Sequence, residues 1–350
     1  MKLAAVAVGA VACATALAAF AFHDSGGSGV YAVQRLVSDG GVPARYRAGK
    51  LVNAWGIAAE PGGVWWTANE ASDTSTVFSS AGKRQLLTVA VPGGPTGVVF
   101  NPGRGFVLSA GGRSDPARFI FACEDGTIRA WTPTVPTAWS SQSEVGADLR
   151  GQAAVFRGLA FANGFLYATD FHNGRVEVFD SRWRRVRLPG GFSDPKIPPW
   201  YAPFGVAALG GHLFVTYVFR APVDGNDAPT GGFVDEFDGR GRLVARVAHR
   251  GPLNAPWGLA LAPKSFGHFG GDLIVGNFGD GRVNAFRNVD GRWVYDGAIR
   301  GRNGKPLELN GLWALAFDGH GRLFFSSGPH AWRGATELEV HGLVGSITPA

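Results

Sequence analysis

The sequence predicts an all-β protein, a single six-bladed β-propeller spanning residues 31–350 whose ring is closed by an N-terminal strand completing the last blade. Three observations predict it. A short apolar block built around one small residue occurs six times: Trp55-Gly-Ile-Ala58, Thr96-Gly-Val-Val99, Arg157-Gly-Leu-Ala160, Phe204-Gly-Val-Ala207, Trp257-Gly-Leu-Ala260 and Trp313-Ala-Leu-Ala316. Each block is followed by two or three further apolar strands, so each repeat makes about four antiparallel strands, the unit of a propeller blade. The composition agrees: 53 Gly, 21 Pro, 11 Trp and 25 Phe favour turns and packed strands over helices.

In chain order, the N-terminus comes first. One charge at Lys2, an apolar run from Leu3 to Phe22 and small residues at Ala19 and Ala21 read as a secretory signal over residues 1–22, with cleavage after Ala21. The run is also long enough for a membrane anchor, so membrane attachment is expected only if this segment is retained. Ala10-Val-Ala-Cys13 is a poor acylation site because the apolar stretch continues past it. Residues 23–30, rich in Gly and Ser, read as a flexible linker. The expected address is therefore export, to the periplasm or the extracellular space. In the mature chain Cys123 is left without a disulfide partner, and its setting in Phe119-Ile-Phe-Ala-Cys123 reads as a buried apolar residue.

Tyr31–Val37 precedes the first complete unit and is the strand expected to close the ring beside Gly342–Ile347. The first strand of every unit is almost continuously apolar, as for a strand buried on both faces. Its glycine fits a place where six strands crowd towards an axis, and Trp55, Trp257 and Trp313 are expected to wedge between neighbouring blades. Second strands follow at Val64–Ala68, Phe119–Ala122, Phe165–Ala168, Leu213–Thr216, Leu273–Gly276 and Leu323–Ser326. Third strands follow at Ser75–Phe78, Thr127–Trp131, Arg175–Phe179, Gly232–Phe237, Arg282–Phe286 and Gly342–Ile347. Asn173-Gly174 and Asp280-Gly281 read as tight hairpin turns. Two insertions, Pro133–Gln152 and Arg220–Gly231, break the period and read as candidate lids.

The formal net charge is +6. Basic residues interleave with aromatics only in Arg182-Trp-Arg-Arg-Val-Arg187, which reads as a solvated turn, so nucleic acid is not an expected partner. The chain is expected to be a monomer.

The phrases Leu36-Val-Ser-Asp39, Leu51-Val-Asn-Ala-Trp-Gly56, Cys123-Glu-Asp-Gly-Thr-Ile128, Asp170-Phe-His-Asn-Gly174, Tyr201-Ala-Pro-Phe-Gly205, Leu253-Asn-Ala-Pro-Trp-Gly258, Gly276-Asn-Phe-Gly-Asp-Gly-Arg282 and Asn310-Gly-Leu-Trp313 carry a resemblance. Over roughly residues 31–347 the chain resembles a bacterial family of exported proteins with NHL-like β-propeller repeats. That resemblance implies the fold and an exported address, and implies no substrate.

Strand order places the chemistry. In an up-and-down blade, the loop leading into the first strand and the turn between the second and third strands lie at the same end. Asn53, Arg157, Tyr201, Asn254 and Asn310 come from the lead-in loops. Asn69, Glu70, Glu124, Asp170, His172, Tyr217, Asn277, Asp280 and His330 come from the turns. All are expected around one mouth of the central channel. His172, Asp170 and His330 are the candidate catalytic groups, because a histidine near its pKa or a carboxylate can move protons. Asn53, Glu124, Asp170 and Asn254 are the candidate metal ligands, an oxygen set suited to Ca2+ or Mg2+.

Two functions fit. The first is a binding or scaffolding module holding a glycan, a peptide or a cell-envelope partner at the mouth or loops. The second is a divalent-metal-dependent hydrolase, lactonase or lyase, an analogy in architecture to gluconolactonase-like six-bladed enzymes, with Asn53, Asn254, Asp170 and Glu70 or Glu124 as the metal set. Each singled-out residue also has a plain structural role open to it, since Asn and Asp favour turns through local backbone hydrogen bonds.

Overall fold

The computed structural model describes residues 29–220, 227–333 and 336–350. The expected signal segment, the linker as far as residue 28 and residues 221–226 of the second insertion lie outside the described residues.

Six antiparallel sheets form the ring. Blade one is Ala54–Ala59, Trp65–Asn69, Thr74–Phe78 and Arg84–Ala90. Blade two is Pro95–Phe100, Phe119–Cys123, Thr127–Trp131 and Glu144–Asp148. Blade three is Phe156–Ala162, Phe165–Asp170, Arg175–Phe179 and Arg185–Val186. Blade four is Tyr201–Leu209, His212–Arg220, Asp227–Phe237 and Leu243–His249. Blade five is Pro256–Leu261, Leu273–Asn277, Val283–Val289 and Arg292–Ala298. Blade six is Leu312–Phe317, Leu323–Ser327 and Leu343–Pro349, completed by Val30–Ser38 from the N-terminus.

That closure is the expected one, with Val33 opposite Ile347 and Tyr31 opposite Pro349. The Tyr31 ring is buried between Phe266 and Phe269, and its hydroxyl donates to the Phe266 carbonyl at 2.8 Å. The first and last segments are thus fastened together without a covalent link.

One irregularity recurs in all six blades. The pairing of the innermost strand with its neighbour slips at the small residue of the repeat, glycine in five blades and Ala314 in blade six: at Ala54/Ile57, Phe156/Gly158, Pro203/Val206, Pro256/Gly258 and Leu312/Leu315, and in blade two between the partners of Phe121 and Cys123. A bulge bends a strand and re-aims a side chain. The glycine is required there because the next blade's backbone is against it. A Cβ on Gly205 would stand 2.2 Å from the Trp257 carbonyl oxygen, and one on Gly258 2.5 Å from that of Trp313. Hydroxyls stitch the same seam, with Thr169 donating to the Phe204 carbonyl at 2.7 Å and Thr96 to that of Phe156 at 3.0 Å.

Several expectations are corrected. Pro133–Gln152 is not a lid: it contains the outermost strand of blade two, Glu144–Asp148, paired with Thr127–Ala130. A hairpin absent from the sequence reading, Val107–Ala110 with Arg113–Pro116, sits between the first and second strands of blade two. Its turn is Gly111-Gly112, both at positive φ, a hairpin signal present in the sequence. The turns at Asn173-Gly174 and Asp280-Gly281 are longer than two residues, since Asp170 pairs with Arg175 and Gly276 with Val283. Positive φ falls only on their glycines. The tryptophans Trp55, Trp257 and Trp313 meet one another on the axis, where the bulges aim them.

Candidate functional site

The residue before the small position of each repeat, glycine in five blades and Ala314 in blade six, is Trp55, Thr96, Arg157, Phe204, Trp257 or Trp313. The four aromatic ones meet on the axis with Arg157 over them, while Thr96 turns its hydroxyl into the seam between blades two and three. Trp55 lies flat on Trp313 with ring centroids 3.5 Å apart. Trp257 meets both edge-on, at 6.3 Å and 5.8 Å, and Phe204 closes on Trp313 at 5.8 Å. The Trp257 indole N–H donates to the Arg157 carbonyl at 3.1 Å. The Arg157 guanidinium lies 5.2 Å over Trp55 and 5.5 Å over Phe171. Phe278 stacks on the other face of the cluster, 4.1 Å from Trp313. This aromatic plug closes the channel at the end bearing the lead-in loops.

A set of acids stands above the plug. Glu70 opens a short 3-10 turn after the second strand of blade one, and its backbone N–H donates to the Asn53 carbonyl at 3.0 Å. Asn53, at φ 46°, reaches both ways: its amide donates to Glu70 Oε2 at 2.8 Å, and its Oδ1 accepts from the Trp313 indole at 3.1 Å. Glu124 occupies the equivalent turn of blade two and is paired with Arg157 of blade three. Glu339 comes from the connection between the second and third strands of blade six, with Oε1 3.5 Å from His330 Nε2. The His330 ring packs on Phe278 at 5.4 Å.

Burial pushes the Glu70 carboxyl up to about 7, reinforced by the negative charge of Glu124 and then Glu339, against the Asn53 hydrogen bond and the Arg157 charge. A carboxyl held near neutrality beside further carboxylates can hold or release a proton under ordinary conditions. The cluster holds three carboxyl groups beside one arginine and one histidine, in a protein of net charge +6. Asn254, in the lead-in loop of blade five beside Phe278, adds a buried Oδ1 with no hydrogen-bond partner. An acceptor buried without a donor is costly unless a ligand or water supplies one.

The structure divides the remaining predicted residues. Asp170 is fully buried, accepting from the Val155 and Asn173 backbones at 3.3 Å and 3.2 Å and from the Asn173 amide at 2.8 Å, so it is committed to its own turn. His172 is exposed beside it. Asn69 and Asn277 are buried within their blades, bonded to Thr74 and Thr76 and to Pro252 and Asp280 respectively. Asp280 caps the same turn through the Arg282 N–H. Tyr217 is buried in blade four near Asp235 and Arg246, its phenol held well above the ordinary range by burial and then by Asp235. Tyr201 packs edge-on to Phe233 at 4.8 Å, and Asn310 is exposed, 3.5 Å from the His330 N–H.

The proposed metal quartet fits poorly as a set. Asp170 is taken up by its turn, and Asn53 by Glu70 and Trp313. Among the described residues, no three His, Cys, Asp or Glu side chains gather in a metal-holding group. Glu339 was missed because it lies far along the connection between the second and third strands of blade six, away from the strand end where Glu70 and Glu124 stand. The rule that placed Glu70 and Glu124, position in the turn after a second strand, also reaches it.

No family model matches the chain. It is 32% identical over 330 residues to the uncharacterized protein L690 of Acanthamoeba polyphaga mimivirus, spanning 90% of this chain and 85% of that one. To the uncharacterized protein R648 of the same virus it is 33% identical over 330 residues, spanning 90% and 79%. Among solved structures, the soluble aldose sugar dehydrogenase of Escherichia coli superposes with a TM-score of 0.56 at 13% identity, covering 92% of this chain and 100% of that one. Virginiamycin B lyase of Staphylococcus aureus superposes with a TM-score of 0.52 at 11% identity, covering 91% and 99%. At such identities the likeness shows the fold alone.

Proposed function

From the premise that the chain belongs to the family of the mimivirus proteins L690 and R648, we propose that it is a binding module that takes a glycan at the plugged end of the channel. The observation that carries this is the surplus of acceptors over donors around Glu70. Glu70, Glu124 and Glu339 face one arginine, paired with Glu124, and His330 beside Glu339, while the Asn254 Oδ1, on the loop against Phe278, is buried without a donor. Such a site selects a ligand that donates, as sugar hydroxyl and amino groups do. Phe278, half-buried on the Trp313 stack, supplies an apolar face for a sugar ring. Export to the periplasm or cell exterior, the resemblance to the exported NHL-like family, and a monomeric state belong to the same reading.

The test is a glycan array probed with the mature protein, followed by calorimetry on any hit. A hit that weakens at least tenfold in both Glu70→Gln and Asn254→Ala supports the reading. Retention of every array hit at full affinity in both variants would sink it.

The proximity of the Glu70 and Glu124 carboxyls favours a second reading, a Ca2+- or Mg2+-dependent hydrolase, lactonase or lyase in which these two acids and amide or backbone oxygens of the mouth would hold the ion in place of the Asp170-centred set. Thermal unfolding in EDTA and then in each ion decides it, because an ion that binds only the folded state raises the melting temperature with its concentration. No shift at millimolar ion would remove this alternative.

A further inference from the structure

A cavity opens at the other end of the ring, on the far side of the aromatic plug. It holds about 670 Å3, a volume within the range of ligand pockets. We propose that this cavity is a second binding site, independent of the plugged end, for a small, neutral, largely apolar molecule.

Its wall is written into the repeat. The residue after the small position of each block faces it: Ile57, Val98, Leu159, Val206, Leu259 and Leu315, one from each blade. Each keeps 5–9% of its surface exposed, although it lies at the centre of the molecule. The cores between blades hold residues such as Ile120, Leu166 and Ile274 at 0%. Each of the six aliphatic side chains also packs in one of those cores, and the small part of its surface left uncovered faces the cavity. Trp257, part of the plug, forms its inner end, so an occupant enters from one side only.

The chemistry of the occupant follows. No ionised side chain lines the deep wall, so a charged group would lose its hydration there without compensation. At the rim, Glu60 is paired with Arg118, and Asp318 with Arg322 at 2.8 Å, so neither carboxylate is left to draw in a cation. Each innermost strand pairs on one edge only, leaving backbone N–H and C=O groups along the axis. A ring-containing molecule with one or two hydroxyl or carbonyl groups would bury its body against the aliphatic ring and meet those backbone edges.

The test uses the neutral, environment-sensitive dye N-phenyl-1-naphthylamine with the mature protein. Saturable binding to one site with enhanced emission is expected. Filling the cavity in Ala58→Phe/Ala207→Phe is expected to weaken the dye at least tenfold. Leu86→Ser and Trp139→Ser, which remove apolar side chains 99% and 92% exposed on the outer surface, are expected to leave it unchanged. If the double variant does not fold, Ala58→Phe and Ala316→Phe are read singly, and either must weaken the dye. Absence of saturable binding, full affinity in the filled variants, or loss in either surface variant overturns the proposal.

Discussion

The indoles of Trp55 and Trp313 lie in parallel contact, planes 16° apart, and Asn53 locks them by accepting from Trp313 and donating to Glu70. Residues 258 positions apart in the chain thus join blade one to blade six on the axis, and the same contact supports the acidic mouth. Trp313→Ala is expected to lower stability by roughly 3–5 kcal/mol, the usual cost of emptying a buried aromatic site. Denaturant unfolding of the variant against the parent measures it.

Asp170 and Glu70 occupy equivalent turns and are expected to behave differently. Asp170→Ala removes three hydrogen-bond contacts inside a buried turn and is expected to cost about 2–4 kcal/mol. Ligand affinity of the folded fraction should hardly change. Glu70→Gln keeps the acceptor for Asn53 and is expected to leave stability intact or improve it at neutral pH while weakening the ligand. Calorimetric titration of both variants beside their melting curves separates the two roles. A large affinity loss in Asp170→Ala with unchanged melting would reverse the assignment.

Burial raises the carboxyls of Glu70, Asp235 and Asp272, each to about 7. An acid whose folded pKa lies above its unfolded value binds more protons when folded, so stability falls as pH rises through the interval between the two. For these groups the interval runs from about 4 to about 7. These three groups are expected to make the protein less stable at pH 8 than at pH 5, and Glu70→Gln should narrow that difference. Melting temperatures of parent and variant at the two pH values check the sign.

A bulge glycine and a turn glycine give a sharp contrast. Gly205→Ala puts a methyl 2.2 Å from the Trp257 carbonyl and is expected to cost several kcal/mol or to prevent folding. Gly319→Ala, with nothing within 4 Å, is expected to fall within about 0.5 kcal/mol of the parent. Expression level and melting temperature of the two variants suffice to compare them.

Removing the Tyr31 hydroxyl tests the ring closure. Tyr31→Phe leaves the buried Phe266 carbonyl without its donor and is expected to cost about 1–2 kcal/mol. Because the strand Val30–Ser38 is an outer strand, the loss should appear first as faster amide exchange along Leu343–Pro349. Uniform exchange across all blades would show that the closure does not open locally.

The repeat by itself determined the blades, their number, the closing strand and the end at which Glu70, Glu124 and Arg157 gather. These follow from a local alternation of apolar residues and turns that survives in each unit, and from the sense in which strands run. The sequence also contained the Gly111-Gly112 hairpin, which the block period masked. What only the tertiary structure decided is where each side chain of the repeat points. A bulge at the same position in all six blades turns the residue before the small position into the axial plug in every blade but the second, and the residue after it towards the open cavity. It also decided that Asp170 belongs to its turn while Glu70 is left among other carboxylates, two acids in equivalent turns of different blades. Their hydrogen-bond partners come from other strands and other blades, and a local pattern carries no record of which neighbour folding brings to it.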